Sequence, residues 1–432
     1  MKSRPIYFAD NIFYWARIGK QATVLEIRCD LKQNVKPREL KTALANALRV
    51  HTNFRIRPVL VRGEFRAVVP DVKRPPLFPE DGRVRNLGTA ETKGLMLYVT
   101  YKEKNIALHI FHGLSDFRGI LAFLKTMLRF YYHEPGQDPG KLPAPDSVDT
   151  IPCFENIIEA GPPDDPIGMY DPKKHDIFLL PEENFGKRTT TQHICQIDIP
   201  LEPLLALSKN SESSVIPTIH AFMGRAIRRT YEVGDRTIVG YTPVDLRPIF
   251  NFETGGNASS NFPIPYTERM DRYSLPERAM FLRSIMEVQM LPENLYVKVK
   301  GPMDSVRPVL EKPLPTGVKT RLIVNGGRKI DREIYTYGIS YAGKVRFGEE
   351  IDPRVASVTA CAGSYSYPLW ILACEFDGTL RMLLTQSYES DTLARNIYRE
   401  IGAEIPGTEF RDLGRHDFDK FPLLAVRHRR GK

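Results

Sequence analysis

The chain has 432 residues, of which 42% are hydrophobic and 26% are charged, and its formal net charge is +9 at pH 7. This composition is typical of a globular protein, and the length predicts two domains or one large fold with two similar halves. No apolar run reaches the length of a membrane span, and the first residues lack the apolar core of a secretory leader. We therefore expect a cytoplasmic protein without a membrane span.

The net charge and the cysteines restrict the partners. A positive field attracts anions, which favours either nucleic acid or a phosphorylated acyl carrier. The chain has no dense basic arm with interleaved aromatic residues, so we expect no nucleic-acid partner. The 5 cysteines are scattered and include no Cys-x-x-Cys pair, which argues against a disulfide framework or a zinc site. His109 and His112 point to opposite faces of a strand, and we predict no metal and no permanently bound cofactor.

The first half of the chain alternates strands and helices. Clean alternation over 22–31 predicts a half-buried strand, and the apolar stripe after Pro37 predicts a helix. Hairpins are expected over 54–69 and 95–111, followed by a helix with its apolar stripe over 120–131. This order predicts an α/β half with antiparallel pairing.

The second half echoes the first. Asp377-Gly378 is a strong two-residue hairpin signal between two β-prone runs, and a helix over 391–401 closes the domain. The other predicted elements are strands at 193–199, 237–244, 333–341 and 355–361 and helices at 201–208, 217–231 and 275–289.

A segment rich in Pro, Asp and Gly over 134–166 marks the crossover between the halves. We therefore predict an N-terminal half over 1–165, a linker over 166–190 and a C-terminal half over 191–432.

The most informative stretch is 106–119, where an apolar strand ends in His112 and Asp116 follows four residues later. A strand-to-helix connection is a common place for a side chain that faces a cleft. A neutral imidazole is a good general base near pH 7, and the carboxylate can fix its tautomer or anchor the loop through a cation. The spacing alone is weak, with a chance match as the alternative, but its place at a strand end strengthens it.

His112 to Asp116 resembles the active-site motif of the coenzyme A-dependent acyltransferases, a superfamily that includes chloramphenicol acetyltransferase, BAHD acyltransferases, condensation domains and alcohol acetyltransferases. The family has His-His-x-x-x-Asp-Gly or His-x-x-x-Asp-Gly, whereas Phe111 and Phe117 flank the motif here. Gly119 can supply part of the loop's freedom. The resemblance implies an α/β fold of two chloramphenicol acetyltransferase-like halves, each a mixed sheet with flanking helices, and an active-site channel between them.

Residues 241–248 form a second stretch of interest. From the residues alone, a buried strand runs out into Asp245 and Arg247, and a local ion pair is the simplest interpretation. The stretch also looks like the Asp-Leu-Arg segment of alcohol acetyltransferases. That resemblance implies that Arg247 pairs with Asp116 across the domain boundary, with a bidentate guanidinium that keeps the carboxylate ionised.

The same resemblance implies further contacts. Asn261 lies in a stretch similar to one that lines the acyl tunnel, with a turn-capping role as the alternative. Ser340 lies in a segment similar to Ser-Asn-x-Gly, with Tyr341 in place of Asn, and can donate a hydrogen bond to the oxyanion; a plain strand serine is the alternative. Gly113, beside the base, is the remaining candidate for substrate contact.

The resemblance implies an enzyme that moves an acyl group, acetyl by the similarity to alcohol acetyltransferases, from coenzyme A to an alcohol or amine acceptor. His112 is the general base, acyl-coenzyme A is a co-substrate, and no covalent enzyme intermediate is needed. One alternative is a standalone condensation-type enzyme that takes its donor from an acyl or peptidyl carrier protein. The other is an inactive binding protein of the same fold, which Phe117 and Tyr341 favour.

Overall fold

A computed structural model describes residues 3–18, 24–61, 63–70, 74–133, 150–181, 191–363 and 367–418, with the backbone alone at 325–332. Its strands are β1 Ser3–Pro5, β2 Val24–Leu31, β3 Arg57–Val61, β4 Glu64–Val68, β5 Leu77–Pro79, β6 Leu97–Lys102, β7 Asn105–Phe111, β8 Thr191–Pro200, β9 Ile238–Asp245, β10 Ser259–Tyr266, β11 Tyr337–Lys344, β12 Val355–Ala362, β13 Leu369–Phe376, β14 Thr379–Gln386 and β15 Glu409–Asp417. Its helices are α1 Phe8–Ile18, α2 Pro37–Val50, α3 Phe117–Tyr132, α4 Cys153–Ala160, α5 Leu201–Asn210, α6 Val215–Thr230, α7 Arg247–Phe250, α8 Leu275–Gln289, α9 Pro292–Glu311, α10 Thr316–Ile334 and α11 Thr392–Glu404.

The described strands form two large sheets and one small one. The small sheet has the order β1-β4-β3, the first large sheet β12-β2-β7-β6-β5, and the second β10-β9-β11-β13-β14-β8-β15. Most neighbours pair antiparallel, but β5 runs parallel to β6, and β11 runs parallel to both β9 and β13. Both large sheets are therefore mixed, which confirms the predicted fold class.

Each large sheet buries one face against helices. The apolar stripes of α2 and α3 pack on the first sheet, with Leu44 and Phe123 fully buried. The second sheet packs on α6, α8 and α11, with Phe222 and Ile397 fully buried. The two cores are separate clusters, as expected for two similar halves. No described helix has both the length and the apolar character that a bilayer crossing requires.

The two halves exchange segments. β12 comes from the last quarter of the chain but pairs antiparallel with β2 in the first sheet. Leu372 and Cys374 of β13 pack into the core of the first half, whereas Phe8 of α1 packs into the core of the second. The chain boundaries at 165 and 191 stay a prediction, but these exchanges tie the halves together at the site described below.

Most predicted elements are present. The hairpin of β13 and β14 turns at Asp377 and Gly378, as predicted, and both residues have positive φ, as a tight two-residue turn requires. The strand predicted from residue 333 begins only at Tyr337, because residues 333–334 complete α10. The helices α1, α4, α7, α9 and α10 and the strands β1, β5 and β15 were not predicted.

Candidate active site

His112 begins a short 3-10 turn directly after β7, and this turn leads into α3. Asp116 is the N-cap of α3, where its Oδ1 accepts a hydrogen bond from the Gly119 amide at 3.2 Å. Capping uses one lone pair of the carboxylate and fixes its direction. The strand and the helix therefore place both motif residues on one short, rigid connection.

The His112 ring is held against α1. It stacks on Phe13 with ring centroids 4.2 Å apart and an interplanar angle of 12°. Nδ1 is buried and has no hydrogen-bond partner among the described residues, so Nε2 is the ring nitrogen available to a substrate. Burial lowers the pKa of His112, while its own carbonyl, Asp116 and Asn257 oppose that change. The ring is therefore neutral at pH 7, as a general base must be.

The structure brings Asp116 and Arg247 together across 131 positions of sequence. Arg247 Nη1 donates to Asp116 Oδ2 at 2.8 Å, and Nη2 donates to Oδ1 at 3.1 Å. The remaining donors reach Asp245 Oδ1 at 3.0 Å, the Thr254 carbonyl at 3.0 Å and the Gly256 carbonyl at 2.7 Å. All five N–H groups of this 2%-exposed guanidinium are thus used. Arg247 therefore binds both the local aspartate, Asp245, and the distant one, Asp116.

The charge of this arginine is secured by its partners. Burial lowers the pKa of Arg247, but Asp116 and Asp245 outweigh that effect and raise it above the usual value. Asp116 also accepts the Ala258 amide at 2.9 Å. The Asp116 carboxylate therefore accepts hydrogen bonds from two guanidinium nitrogens and two backbone amides, and its role is to hold the loop.

Residues 254–258, which we call the clasp, tie the second half to the His112 turn. The Gly255 carbonyl accepts hydrogen bonds from Ser115 Oγ at 2.7 Å and from Asn53 Nδ2 at 2.9 Å. Asn257 Nδ2 donates to the His112 carbonyl at 2.9 Å. Sequence reasoning missed the clasp, and its available signal was the glycine pair directly before Asn257, which allows close backbone approach.

The departures from the family motif are accommodated. Phe117 is the first residue of α3 and packs against the core of the first half, without the positive φ that would call for glycine. Gly119 has no positive φ either, so its role is not the loop freedom expected from the sequence. A Cβ at Gly119 would lie 2.0 Å from Ser115 Oγ and 2.8 Å from the Gly255 carbonyl. Its role is to let the clasp approach.

The other predicted contacts lie at different places. Gly113 is buried, and a Cβ there would lie 2.4 Å from the Phe111 ring. Asn261 on β10 accepts a hydrogen bond from the Tyr335 hydroxyl at 3.2 Å. Within the described part of the chain no hydrogen bond joins Ser340 to the histidine. Ser340 pairs in register with Leu372, which packs in the first-half core, so the serine faces the junction of the halves. Substrate roles for these three residues stay predictions.

Tyr341, which replaces the family's Asn, lies on the opposite face of β11. It packs against the core of the second half and its hydroxyl donates to Glu375. Tyr341 therefore does not share the face of β11 that carries Ser340.

One group of residues has donor types that suit a metal ion. His193, Cys195 and Asp412 offer ligand atoms within 4.8 Å of one another. His193 Nε2 is already 2.7 Å from Asp412 Oδ1, and its Nδ1 is 2.9 Å from the Glu389 carbonyl. Burial raises the pKa of the Cys195 thiol to about 12, which opposes the thiolate that a metal needs. We interpret the group as a hydrogen-bonded His–Asp pair beside a buried thiol.

No protein-family model matches the sequence, and no curated protein matches it. Solved structures match over nearly the whole chain. Polyketide synthase associated protein 5 from Mycobacterium tuberculosis has a TM-score of 0.62 at 12% identity, over 93% of this chain and 98% of its own. TRI101 of F. graminearum, solved with coenzyme A and T-2 mycotoxin, has a TM-score of 0.57 at 11% identity, over 91% and 97% of the two chains.

The condensation domain of the monacolin K polyketide synthase MokA has a TM-score of 0.60 at 11% identity, covering 94% of this chain and 97% of its own. At such identities the likeness concerns the fold, and it agrees with the two mixed sheets and their flanking helices. This chain therefore has the two-lobed fold of the condensation-domain, epimerization-domain and acetyltransferase structures that it matches.

Proposed function

We propose that this protein transfers an acyl group from a coenzyme A thioester to a hydroxyl or amine acceptor, with His112 as general base. The observation that carries the proposal is the neutral, stacked imidazole on a turn that the bidentate Asp116–Arg247 pair locks in place. A binding scaffold has no use for a base on a turn whose aspartate is bound by a buried guanidinium 131 positions away in the sequence.

The chemistry follows from the availability of Nε2 of His112. His112 Nε2 takes the proton of the acceptor's O–H or N–H as that oxygen or nitrogen attacks the thioester carbonyl carbon. The tetrahedral intermediate collapses with cleavage of the C–S bond, and the coenzyme A thiolate takes the proton back from the imidazolium. In this proposal Ser340 donates to the oxyanion, and Gly113 and Asn261 line the substrate path.

Direct transfer is favoured over a covalent acyl-enzyme. The five cysteines are all buried, and burial raises the pKa of each thiol, which keeps these groups protonated at neutral pH. None of them has the low-pKa, accessible setting of a nucleophilic cysteine.

Two structural neighbours support the donor and the acceptor class. TRI101 was solved with coenzyme A, and TRI3 of Fusarium sporotrichioides is a trichothecene 15-O-acetyltransferase with a TM-score of 0.53 at 12% identity. The net charge of +9 suits the phosphates of coenzyme A. On these grounds we favour O-acetylation.

A carrier-bound donor is the second candidate. The neighbours that favour it are the MokA condensation domain and the epimerization domain of tyrocidine synthetase B, with a TM-score of 0.58 at 12% identity. An acidic acyl or peptidyl carrier protein would suit the same positive charge.

Thiol release from acetyl-coenzyme A and longer acyl-coenzyme A thioesters, with pooled alcohols and amines, tests the proposal. We expect release that requires an acceptor and that falls by about 10²- to 10⁴-fold in His112→Ala. His193→Ala, which removes a histidine distant in sequence and bonded to Asp412, is the matched control and should keep the wild-type rate. Transfer only from a loaded carrier protein would select the second candidate, and silence with every donor would favour the inactive binding protein.

A further inference from the structure

Helix α1 contacts the His112 turn through two side chains. Asp10 and Phe13 are three residues apart on α1 and therefore lie on one face of the helix. Phe13 stacks on the imidazole, whereas Asp10 accepts a hydrogen bond from the clasp, which belongs to the second half of the chain.

Asp10 binds one residue of the clasp twice. Its Oδ1 accepts hydrogen bonds from the Asn257 backbone amide at 3.0 Å and from Asn257 Nδ2 at 2.8 Å. The second Nδ2 hydrogen is donated to the His112 carbonyl at 2.9 Å. The Oδ1 atom of Asn257 is buried and has no hydrogen-bond partner among the described residues.

This arrangement fixes which way the Asn257 amide points. The His112 carbonyl can only accept a hydrogen bond, and so can the Asp10 carboxylate when it is ionised, so a flipped amide would bring its oxygen against two acceptors. The amide nitrogen therefore faces the turn, because both Asp10 and the His112 carbonyl require a donor there.

We propose that Asp10 is a positioning residue for His112: it orients the Asn257 amide, which holds the main-chain carbonyl of His112 and, with Phe13, the direction of the imidazole. The inference rests on the proposed function only in treating this imidazole as the general base. Asp10 itself does not touch the substrate in this arrangement.

The hold depends on the charge of Asp10. Burial raises the pKa of Asp10 to about 7, although the hydrogen bonds from Asn257 oppose this. An ionised carboxylate accepts strongly from Asn257, whereas a protonated one accepts less well. We therefore expect the hydrogen bonds that connect Asp10 through Asn257 to the His112 carbonyl to strengthen as the pH rises through about 7. The titratable groups that influence or border Asp10 are Arg4, Tyr14, His112, Asp116 and Cys153.

Histidine NMR tests the positioning without any substrate. In protein labelled with ¹³C-histidine, the Cε1 resonance of His112 is assigned by its loss in His112→Ala and followed from pH 5 to 9. We expect a step near pH 7 in the wild type, in addition to the ring's own titration below its usual range. Asp10→Asn and Asn257→Ala should both lack that step. Asp198→Asn, which neutralises a buried carboxylate bonded to Arg381, is the matched control and should retain it.

Kinetics provide the second readout. Asp10→Ala removes the acceptor and should lower kcat by about ten- to a hundredfold with little change in KM, because a misdirected base slows the proton transfer but does not weaken binding. Asp10→Asn keeps an oxygen acceptor and should lose less rate, but its pH–rate profile should lack the inflection near 7.

His112 resonances that superimpose in the wild type, Asp10→Asn and Asn257→Ala at every pH would overturn the inference. A wild-type protein that shows the step near pH 7 but releases no thiol with any donor would instead refute the proposed function and leave the positioning established.

Discussion

Replacing Arg247 by lysine separates the charge of this residue from its geometry. Lysine keeps the positive charge but has three N–H donors on one nitrogen instead of five in a planar fork. The guanidinium uses all five, with two on Asp116 and three on Asp245, the Thr254 carbonyl and the Gly256 carbonyl. Five donors minus three leaves two hydrogen bonds that lysine cannot replace.

The lost bonds set the expected cost. Asp116 and Arg247 are both buried, so the acceptors left behind cannot all turn to water. Each buried acceptor without a partner costs about 1–3 kcal/mol, which gives a loss of about 2–6 kcal/mol in the free energy of unfolding. Because lysine keeps the positive charge, the Asp116 carboxylate is not left wholly unpaired, and that further cost is avoided.

Urea denaturation followed by tryptophan fluorescence measures this loss, since the chain has only 2 tryptophans. Arg118→Lys is the matched control. Arg118 binds the same Asp245 at 2.8 Å but its side chain is 51% exposed, so its loss should stay below about 1 kcal/mol. Equal small losses in the two variants would refute the claim that the bidentate geometry, rather than charge, holds the site.

Three further changes test the surroundings of the site. Gly119→Ala should cost about 1–3 kcal/mol in thermal or urea unfolding because its methyl would lie 2.0 Å from a serine hydroxyl, whereas Gly301→Ala, with nothing within 4 Å, should be neutral or stabilising. As the pH rises from about 4 to 7, the wild type should lose stability relative to Asp10→Asn by at most about 4 kcal/mol. The reason is that Asp10 keeps its proton in the folded protein but releases it above pH 3.8 in the unfolded chain. A stability difference that stays constant with pH would contradict this. Burial would raise the pKa of Glu26, but hydrogen bonds and charge from His109 and His416 outweigh it and hold that pKa well below its usual range. This carboxylate therefore stabilises the fold above pH 4.5 and loses that effect in acid, so Glu26→Gln should lower the midpoint at pH 7 more than at pH 3 in parallel melts.

Local patterns in the sequence predicted the elements that carry the motif. Period-two alternation placed β2, a continuous apolar run placed β7, and the stripe from Ile120 placed α3, because each pattern reflects which side chains are buried. The end of β7 put His112 on a turn. Helix α1 is rich in aromatic residues, and only three of its eleven residues are polar or charged. With so few polar positions, its sequence shows no clear helical period.

The geometry around His112 required the tertiary structure. Phe13, which stacks on the ring, is 99 positions from His112 in the sequence, and Asn257, which donates to the His112 carbonyl, is 145 positions away. Such contacts depend on how distant elements pack, and no local periodicity encodes that packing. For the same reason Asn257 and Asn261 could not be ranked from sequence, although only Asn257 touches the histidine turn among the described contacts.

The sequence by itself determined a mixed α/β chain with a histidine and an aspartate at the end of a strand, because burial periodicity and turn chemistry act over a few residues. Only the tertiary structure decided that Arg247 also binds the Thr254 and Gly256 carbonyls, that β12 crosses into the first sheet, and that α1 and the clasp meet at His112. These are long-range choices, set by which buried donors find acceptors once both cores have formed.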